Sequence, residues 1–181
     1  MSRLFLFGIG GTGSRVIKSL MMLLAAGVEF KASEVIPIII DPDEGNGDLL
    51  RTLDSLNLYR NIHESVEPQY KGFFETKITT LNSLVAANSK SLISNTFSMN
   101  LSQTTQQRFG QFIGDSVIQD FENRLMIDLL YTSKNRADFL SEGFLGNPNV
   151  GSVVLNTLQE APEFQLFGNL FNRTDDRIFI V

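Results

Sequence analysis

Hydrophobic residues fall in a different rhythm in each part of the chain. Leu4-Phe5-Leu6-Phe7 is a wholly apolar run closed by Gly8, the pattern of a strand buried on both faces in a parallel sheet. After Gly10-Gly11-Thr12-Gly13 the pattern turns helical from Ser14 to Ala26. Val16, Ile17, Leu20, Met21, Leu23 and Leu24 cover more than one face of that helix, so deep burial is expected, and Gly27 stops it. Val35 to Ile40 reads as a second strand, β-branched almost throughout. Pro37 is awkward there, because it cannot donate to a ladder and favours an edge or a bulge. Asp48 to His63 reads as an amphipathic helix with Leu49, Leu53, Leu56 and Ile62 inward. Strand, helix, strand, helix over 1–63 predicts an α/β fold on a Rossmann-like parallel sheet.

The segment 72–107 changes character. From Ile78 to Gln107, 18 of 30 residues are Ser, Thr, Asn or Gln, and Lys90 is the only charge. It reads as a polar insertion packed on the core, with disorder as the rival reading. Alternation from Asn95 to Leu101 suggests a strand with Phe97, Met99 and Leu101 on one face. The second half, 108–181, is mainly helical. Phe109, Phe112, Ile113, Val117, Phe121, Leu125, Ile127, Leu129 and Leu130 recur at helical spacing, and Gly110 and Gly114 are its expected breakers. Val150–Leu158 and Phe164–Phe171 read as two further short helices. Fifteen phenylalanines and no tryptophan point to packing. Arg177 to Val181 reads as a strand, and its position leads to the expectation that the natural domain continues past it.

Composition narrows the chemistry. The 181 residues hold no cysteine and one histidine, which excludes disulfides, thiolate zinc sites, cysteine nucleophiles and multi-histidine metal centres. A formal charge of −5 with scattered Lys and Arg gives no footprint for nucleic acid. No apolar run reaches a membrane span, and the first residues lack a continuous signal-peptide core. A cytoplasmic, single-domain protein over 1–181 is expected.

The candidate chemistry lies at two turns. Gly8-Ile9-Gly10-Gly11-Thr12-Gly13 is a G-x-G-x-x-G element between strand and helix. There the first glycine is expected to turn the chain, the second to admit a phosphate, and the third to let helix and strand approach. The helix N-terminus adds free amides and a positive dipole end, and Ser14 and Arg15 lie beside it. Asp41-Pro42-Asp43 follows the second strand, where a carboxylate can accept ribose hydroxyls or hold Mg²⁺ through water. The 28 residues from Gly13 to Asp41 exceed the roughly 20 of the dinucleotide pattern, which weakens a simple NAD(P) reading. Asp43, Asn46 and Asp48 also suit a helix cap, and both readings can hold together. His63 is read as a surface residue, and Asn149 as the cap of the Val150 helix.

Gly8-Ile9-Gly10-Gly11-Thr12-Gly13-Ser14-Arg15, the following helix and Ile38-Ile39-Ile40-Asp41-Pro42-Asp43 together resemble the start of tubulin/FtsZ-like proteins. The divergent bacterial members share the G-x-G-G-T-G-x-R and I-D-P-D patterns. The resemblance implies an incomplete tubulin-like domain, GTP with Mg²⁺ as ligand, and Gly8, Gly10, Gly11 and Gly13 as a backbone phosphate cradle. Thr12, Ser14 and Arg15 would complete that cradle, with Asp41 or Asp43 as the nucleotide-proximal acid. It further implies self-assembly or action through a partner chain, and GTP hydrolysis only in a completed site. Arg15 stands where FtsZ has asparagine, and 72–107 holds no glycine-rich third loop. A second resemblance is to ThiF-like adenylating enzymes, which pair G-x-G-G-x-G-S with an I/V-D-x-D turn and use ATP. Glu44-Gly45-Asn46-Gly47-Asp48-Leu49-Leu50-Arg51 is a loose echo of their next phosphate-binding segment. A third reading is a protein-interaction module whose glycine loop is structural only and whose exposed terminal strand, Ile178–Val181, pairs with another chain.

Overall fold

The Leu4–Phe7 run forms the middle of β1 (Arg3–Ile9), which lies between two neighbours in a parallel four-stranded sheet. The computed structural model describes residues 2–65, 72–85, 95–99, 101, 106–144 and 146–181. The strand order is β3-β2-β1-β4, with β2 at Glu34–Ile40, β3 at Lys77–Ile78 and β4 at Arg177–Ile180. A Rossmann-like α/β sheet is therefore present. Helices α1 (Gly10–Ala25) and α2 (Gly47–Ser65) follow β1 and β2.

The apolar runs do not alternate because both sheet faces are covered. Leu4 and Leu6 join Val35 and Ile39 under α1 and α2, against Ile17, Leu24, Leu56 and Tyr59. Phe5 and Phe7 point the other way, into Ile36, Ile38, Leu158 and Phe167. Phe5 and Phe7 both meet the Phe167 ring edge-on, with centroids 5.1 and 5.0 Å apart. Burying side chains of this size stabilises the fold by roughly 1.5–3 kcal/mol each. Of the α2 positions read as inward, Leu49 and Leu56 are buried and Leu53 packs at the cluster edge. Ile62 is half-buried, while Thr52 and Tyr59 fill the remaining buried places. On α1, Ile17, Met21 and Leu24 are buried, but Val16, Met22 and Leu23 are exposed, so burial is shallower than the sequence suggests.

The place of a third strand is shared by two short pieces. Lys77–Ile78 pairs with Glu34–Val35 at one end of β2, and Ser98 bridges to Ile39 at the other. Pro37 explains the gap. Val35 accepts from Thr79 on that side, and Ile39 donates to Phe97 and accepts from Met99 there. Pro37 shares their parity, so its missing N–H falls where the outer strand is interrupted. A proline is thereby accommodated inside a sheet without an orphaned partner. The expected Asn95–Leu101 strand is reduced to this bridge. Phe97 enters the first core whereas Met99 and Leu101 enter the second, so the three do not share a face. Residues 86–94, 100 and 102–105 of the polar tract lie outside the described residues.

β4 pairs only with β1 among the described strands, and Ile178, Phe179 and Ile180 are exposed. Its approach is fixed by Arg3, whose Nε and Nη2 donate to the Asp176 carboxylate at 2.9 and 2.5 Å. Nη2 also donates to the Leu170 carbonyl at 2.6 Å.

Between β3 and β4 lies the helical part: Phe109–Phe112, Phe121–Leu130, Ser133–Ala137, Pro148–Leu155 and Pro162–Leu170, with short 3₁₀ turns. Phe109, Tyr131, Leu140, Val150 and Val154 form a third, smaller core. Gly114, with φ +70°, ends the first of these helices, while Gly110 stays inside it. Val117, Phe121, Leu125, Leu129 and Leu130 contradict the packing expectation, since all five are exposed.

Candidate functional site

The glycine loop separates two jobs that the sequence alone runs together. A Cβ on Gly8 would lie 2.5 Å from Ile17 Cδ1, and one on Gly13 would lie 2.5 Å from the backbone carbon of Gly8. These two glycines let α1 lie directly on β1. Gly10 turns the chain, with φ +65°, and a Cβ there would meet only the Phe144 ring at 3.7 Å. The turn therefore belongs to Gly10, whereas the sequence reading gave it to Gly8. Gly13 has the packing role expected of it. Because α1 begins at Gly10, immediately after β1, the first-turn amides have no intrahelical acceptor. They carry the positive end of a 16-residue helix.

A cleft of about 410 Å³ opens at this helix end, within the usual range of small-molecule sites. Its floor is Ile9, Gly10, Gly11, Thr12, Arg15, Asp41, Asn46 and Asp48, and its far wall is Glu142, Gly143, Phe144 and Gly146. Asp41 is buried and accepts from the Asp43 amide at 3.1 Å and from Asn46 Nδ2 at 3.1 Å. Burial pushes its carboxyl above the ordinary aspartate range. Asn46 links three parts of the floor. Its Oδ1 accepts from the Asp48 amide as the α2 cap, its Nδ2 holds Asp41, and it packs against Gly11. Arg15 donates to Thr12 Oγ1 at 3.2 Å and pairs loosely with Asp48 at 3.6 Å. It is thus an exposed cation at the rim.

Of the nine residues proposed from sequence, Gly10, Gly11, Thr12, Arg15 and Asp41 line the cleft. Gly8 and Gly13 stand behind it as spacers. Ser14 is turned away: it is fully buried, its hydroxyl donates to the Gly10 carbonyl, and its own carbonyl accepts from Thr52. Asp43 also points elsewhere, accepting from the Gly45 amide at 3.0 Å in a turn. Sequence reasoning missed Asn46 as a site residue, and missed Glu142, Gly143 and Phe144 altogether. The only signal for those three was the pair of glycines around Phe144. Gly143 and Gly146 both have positive φ, and a Cβ on Gly143 would approach Asp41 Oδ1 at 3.7 Å.

The turn before the Val150 helix reaches the cleft through Gly146, while Gly151 packs on the Phe144 ring. The helix cap there is Asn147, accepting from the Asn149 and Val150 amides, rather than Asn149. His63 is half-buried, with Nδ1 donating to the Phe74 carbonyl at 2.5 Å. Its role is to hold the turn after α2, and it is not a free surface residue. Arg51 is committed to Asp48 at 2.8 Å.

The sheet order places the cleft further. The chain runs from β1 outward to β2 and β3, then returns to β4 on the other side of β1. The reversal is a topological switch point, and ligands of open α/β sheets bind at the carboxyl ends of the strands beside it. The glycine loop is at that point, with the Val181 carbonyl accepting from the Ile9 amide at 2.8 Å. A wider cleft of about 660 Å³, lined by Ser2, Phe30, Lys31 and Arg177 among others, lies at the opposite ends of the strands. No family model, curated protein or solved structure matches the chain. Among the described residues no helix is long and apolar enough to cross a membrane, and no group of three or more acids and histidines is gathered for a metal ion.

Proposed function

We propose that the chain binds a nucleoside phosphate in this cleft, with GTP as the first candidate on the tubulin/FtsZ-like resemblance of its glycine loop and acidic turn. The observation that carries the reading is a single juxtaposition. The free amides of α1, opened by a positive-φ Gly10, and the buried Asp41 carboxylate line one cleft at the switch point of the sheet. Phosphate oxygens would take the amides of Gly10, Gly11 and Thr12, with Arg15 leaving Asp48 for the phosphate charge. Asp41 would accept ribose hydroxyls. Mg²⁺ fits as an ion that arrives with the phosphates and is held by them and one carboxylate through water. Three acids, Asp41, Asp48 and Glu142, and one arginine line the cleft, so a naked polyphosphate is disfavoured and the magnesium complex is favoured. Hydrolysis, on this reading, waits on a second chain that positions the attacking water.

Thermal unfolding with GTP, ATP, NAD and NADP, each with and without Mg²⁺, tests the reading. Ligand at a hundred times its Kd adds about 2.7 kcal/mol, or roughly 5–10 °C at this size. A shift with GTP and Mg²⁺ is the expected result. A shift with ATP alone, joined by pyrophosphate exchange, would transfer the site to adenylation chemistry. No shift with any of the four would leave the loop as a packing device and sink the proposal.

A further inference from the structure

Asn46 and Gly47 form the one Asn-Gly pair in the sequence, and the fold does not need a glycine there. Gly47 has no positive φ, and a Cβ on it would first meet the flexible end of Arg51, with Nη1 at 3.2 Å. What glycine does provide is an unshielded backbone nitrogen beside an asparagine amide. Gly47 is exposed and opens α2, so its N–H has no intrahelical acceptor. Asn46 lines the cleft, where water reaches it. Both ends of its side-chain amide are held. Oδ1 accepts from the Asp48 amide at 2.8 Å, and Nδ2 donates to Asp41 Oδ2 at 3.1 Å.

These are the groups that deamidation uses. We propose that Asn46-Gly47 is a self-modification site, at which loss of the Asn46 amide turns the cleft from accepting a phosphate ligand to refusing it. Gly47 N gives its proton to hydroxide and bonds to Asn46 Cγ, closing a succinimide ring. The charge that develops on Oδ1 is met by the Asp48 amide. The Cγ–Nδ2 bond then breaks, and Nδ2 leaves as ammonia with a proton from Asp41, which recovers one from solvent. Burial lets Asp41 keep a proton more readily than an ordinary aspartate. Water opens the ring at Cγ or at the main-chain carbonyl, leaving aspartate or isoaspartate at position 46. One water is consumed, one ammonia is released, and nothing is oxidised. Aspartate caps a helix as well as asparagine does, so the aspartate product keeps α2 in place. What it loses is the donor to Asp41, and a second carboxylate faces the first instead. The cleft would then set four acids against Arg15. The covalent step stands whether or not a nucleotide binds, and its effect on phosphate rests on the nucleotide reading.

The test follows the whole chain in neutral buffer, folded and in urea, by peptide mapping with isoaspartate detection. Asn46 is expected to convert in the folded chain ahead of every other asparagine, at no less than about a tenth of its rate in urea. Gly47→Ala should slow it at least tenfold in both states without lowering the melting temperature, because a β-carbon crowds the attacking nitrogen. Asp41→Asn keeps an acceptor for Nδ2 but has no acidic proton to give, and should slow the folded chain alone. Conversion only in urea, or conversion that Gly47→Ala leaves unchanged, overturns the proposal. Equal rates with Asp41→Asn overturn the part given to Asp41. Asn46→Asp supplies the product directly. Its circular dichroism spectrum should match the wild type, while affinity for GTP with Mg²⁺ falls at least tenfold. Unchanged affinity overturns the switch. If the wild type binds no nucleotide, the nucleotide reading fails, and the rates at Asn46 still decide the covalent step.

Discussion

At Asp41, burial acts first to raise the carboxyl above its ordinary range and the Asp43 charge adds to it, while the Asp43 amide and the Asn46 side chain act in opposition. The raised direction fixes a sign. Folding therefore tightens the hold of Asp41 on its proton relative to the unfolded chain, so this group's contribution to stability is complete below the unfolded value, about 3.9, and is lost as pH rises through the folded value. A ligand that donates ribose hydroxyls is held more strongly by the ionised form. Nucleotide affinity should therefore rise with pH across the Asp41 titration and level off above it, measured by calorimetry at a series of pH values. Asp41→Asn should flatten the profile and weaken binding by roughly 1.5–3 kcal/mol, the worth of a hydrogen bond to a charged group. The glycines separate just as cleanly. Gly13→Ala drives a methyl into the Gly8 backbone and should cost about 1–3 kcal/mol in urea unfolding. Gly10→Ala meets only ordinary contact with Phe144 and should cost about 1–2 kcal/mol through its backbone conformation.

At the level of elements, the buried Arg3–Asp176 pair ties the residue before β4 to the first residue of β1. The two side chains are 3 and 0 % exposed, and the carboxylate also accepts from the Arg173 amide at 3.0 Å. Breaking one side of such a pair costs about 3–5 kcal/mol, because the other charge stays buried. Asp176→Ala should lower the urea midpoint accordingly. The hydrogen bond from Arg3 holds the Asp176 carboxyl below its usual range. Its stabilisation is thus present above about pH 3.9 and disappears as pH falls through the folded value. Acid unfolding of the wild type should show this loss, and Asp176→Ala should lack it. β1, α1, β2 and α2 were legible in the sequence because each is written in consecutive residues and joined by a short turn. The divided third strand was not, since the gap beside Pro37 depends on what Thr79 and Phe97 do on the far side of β2. Phe144 was invisible for the same reason: it is more than a hundred residues from the loop it faces. Phe121, Leu125 and Leu129 show a different failure. Helical spacing reveals that a helix has an apolar side, but only Ile127 of this helix packs on the third core while these three stay exposed.

Across the whole molecule, three cores of unequal size imply unequal resistance to opening. The sheet holds two clusters that share β1 and β2 between them, whereas the helical part around Phe109, Tyr131 and Val154 is a small satellite. The loop and cap backbone hydrogen bonds of Phe109–Phe144 among the described residues stay within the helical part, and the cleft has Asp41 on its floor and Gly143 on its far wall. A nucleotide in the cleft would touch both walls and add contacts that exist only when the two are closed together. Hydrogen exchange should then show slow amides in β1, β2 and α1 without ligand and faster exchange from Phe109 to Phe144, as expected of a less stable cooperative unit. With GTP and Mg²⁺, protection should rise at Gly10–Thr12 and at Leu140–Phe144, on opposite sides of the ligand. Ile113–Leu130 should change less, because none of these residues lines the cleft. Protection confined to Gly10–Thr12 would mean that phosphate binds without closing the helical wall, and Phe144 would then have no part in holding the nucleotide.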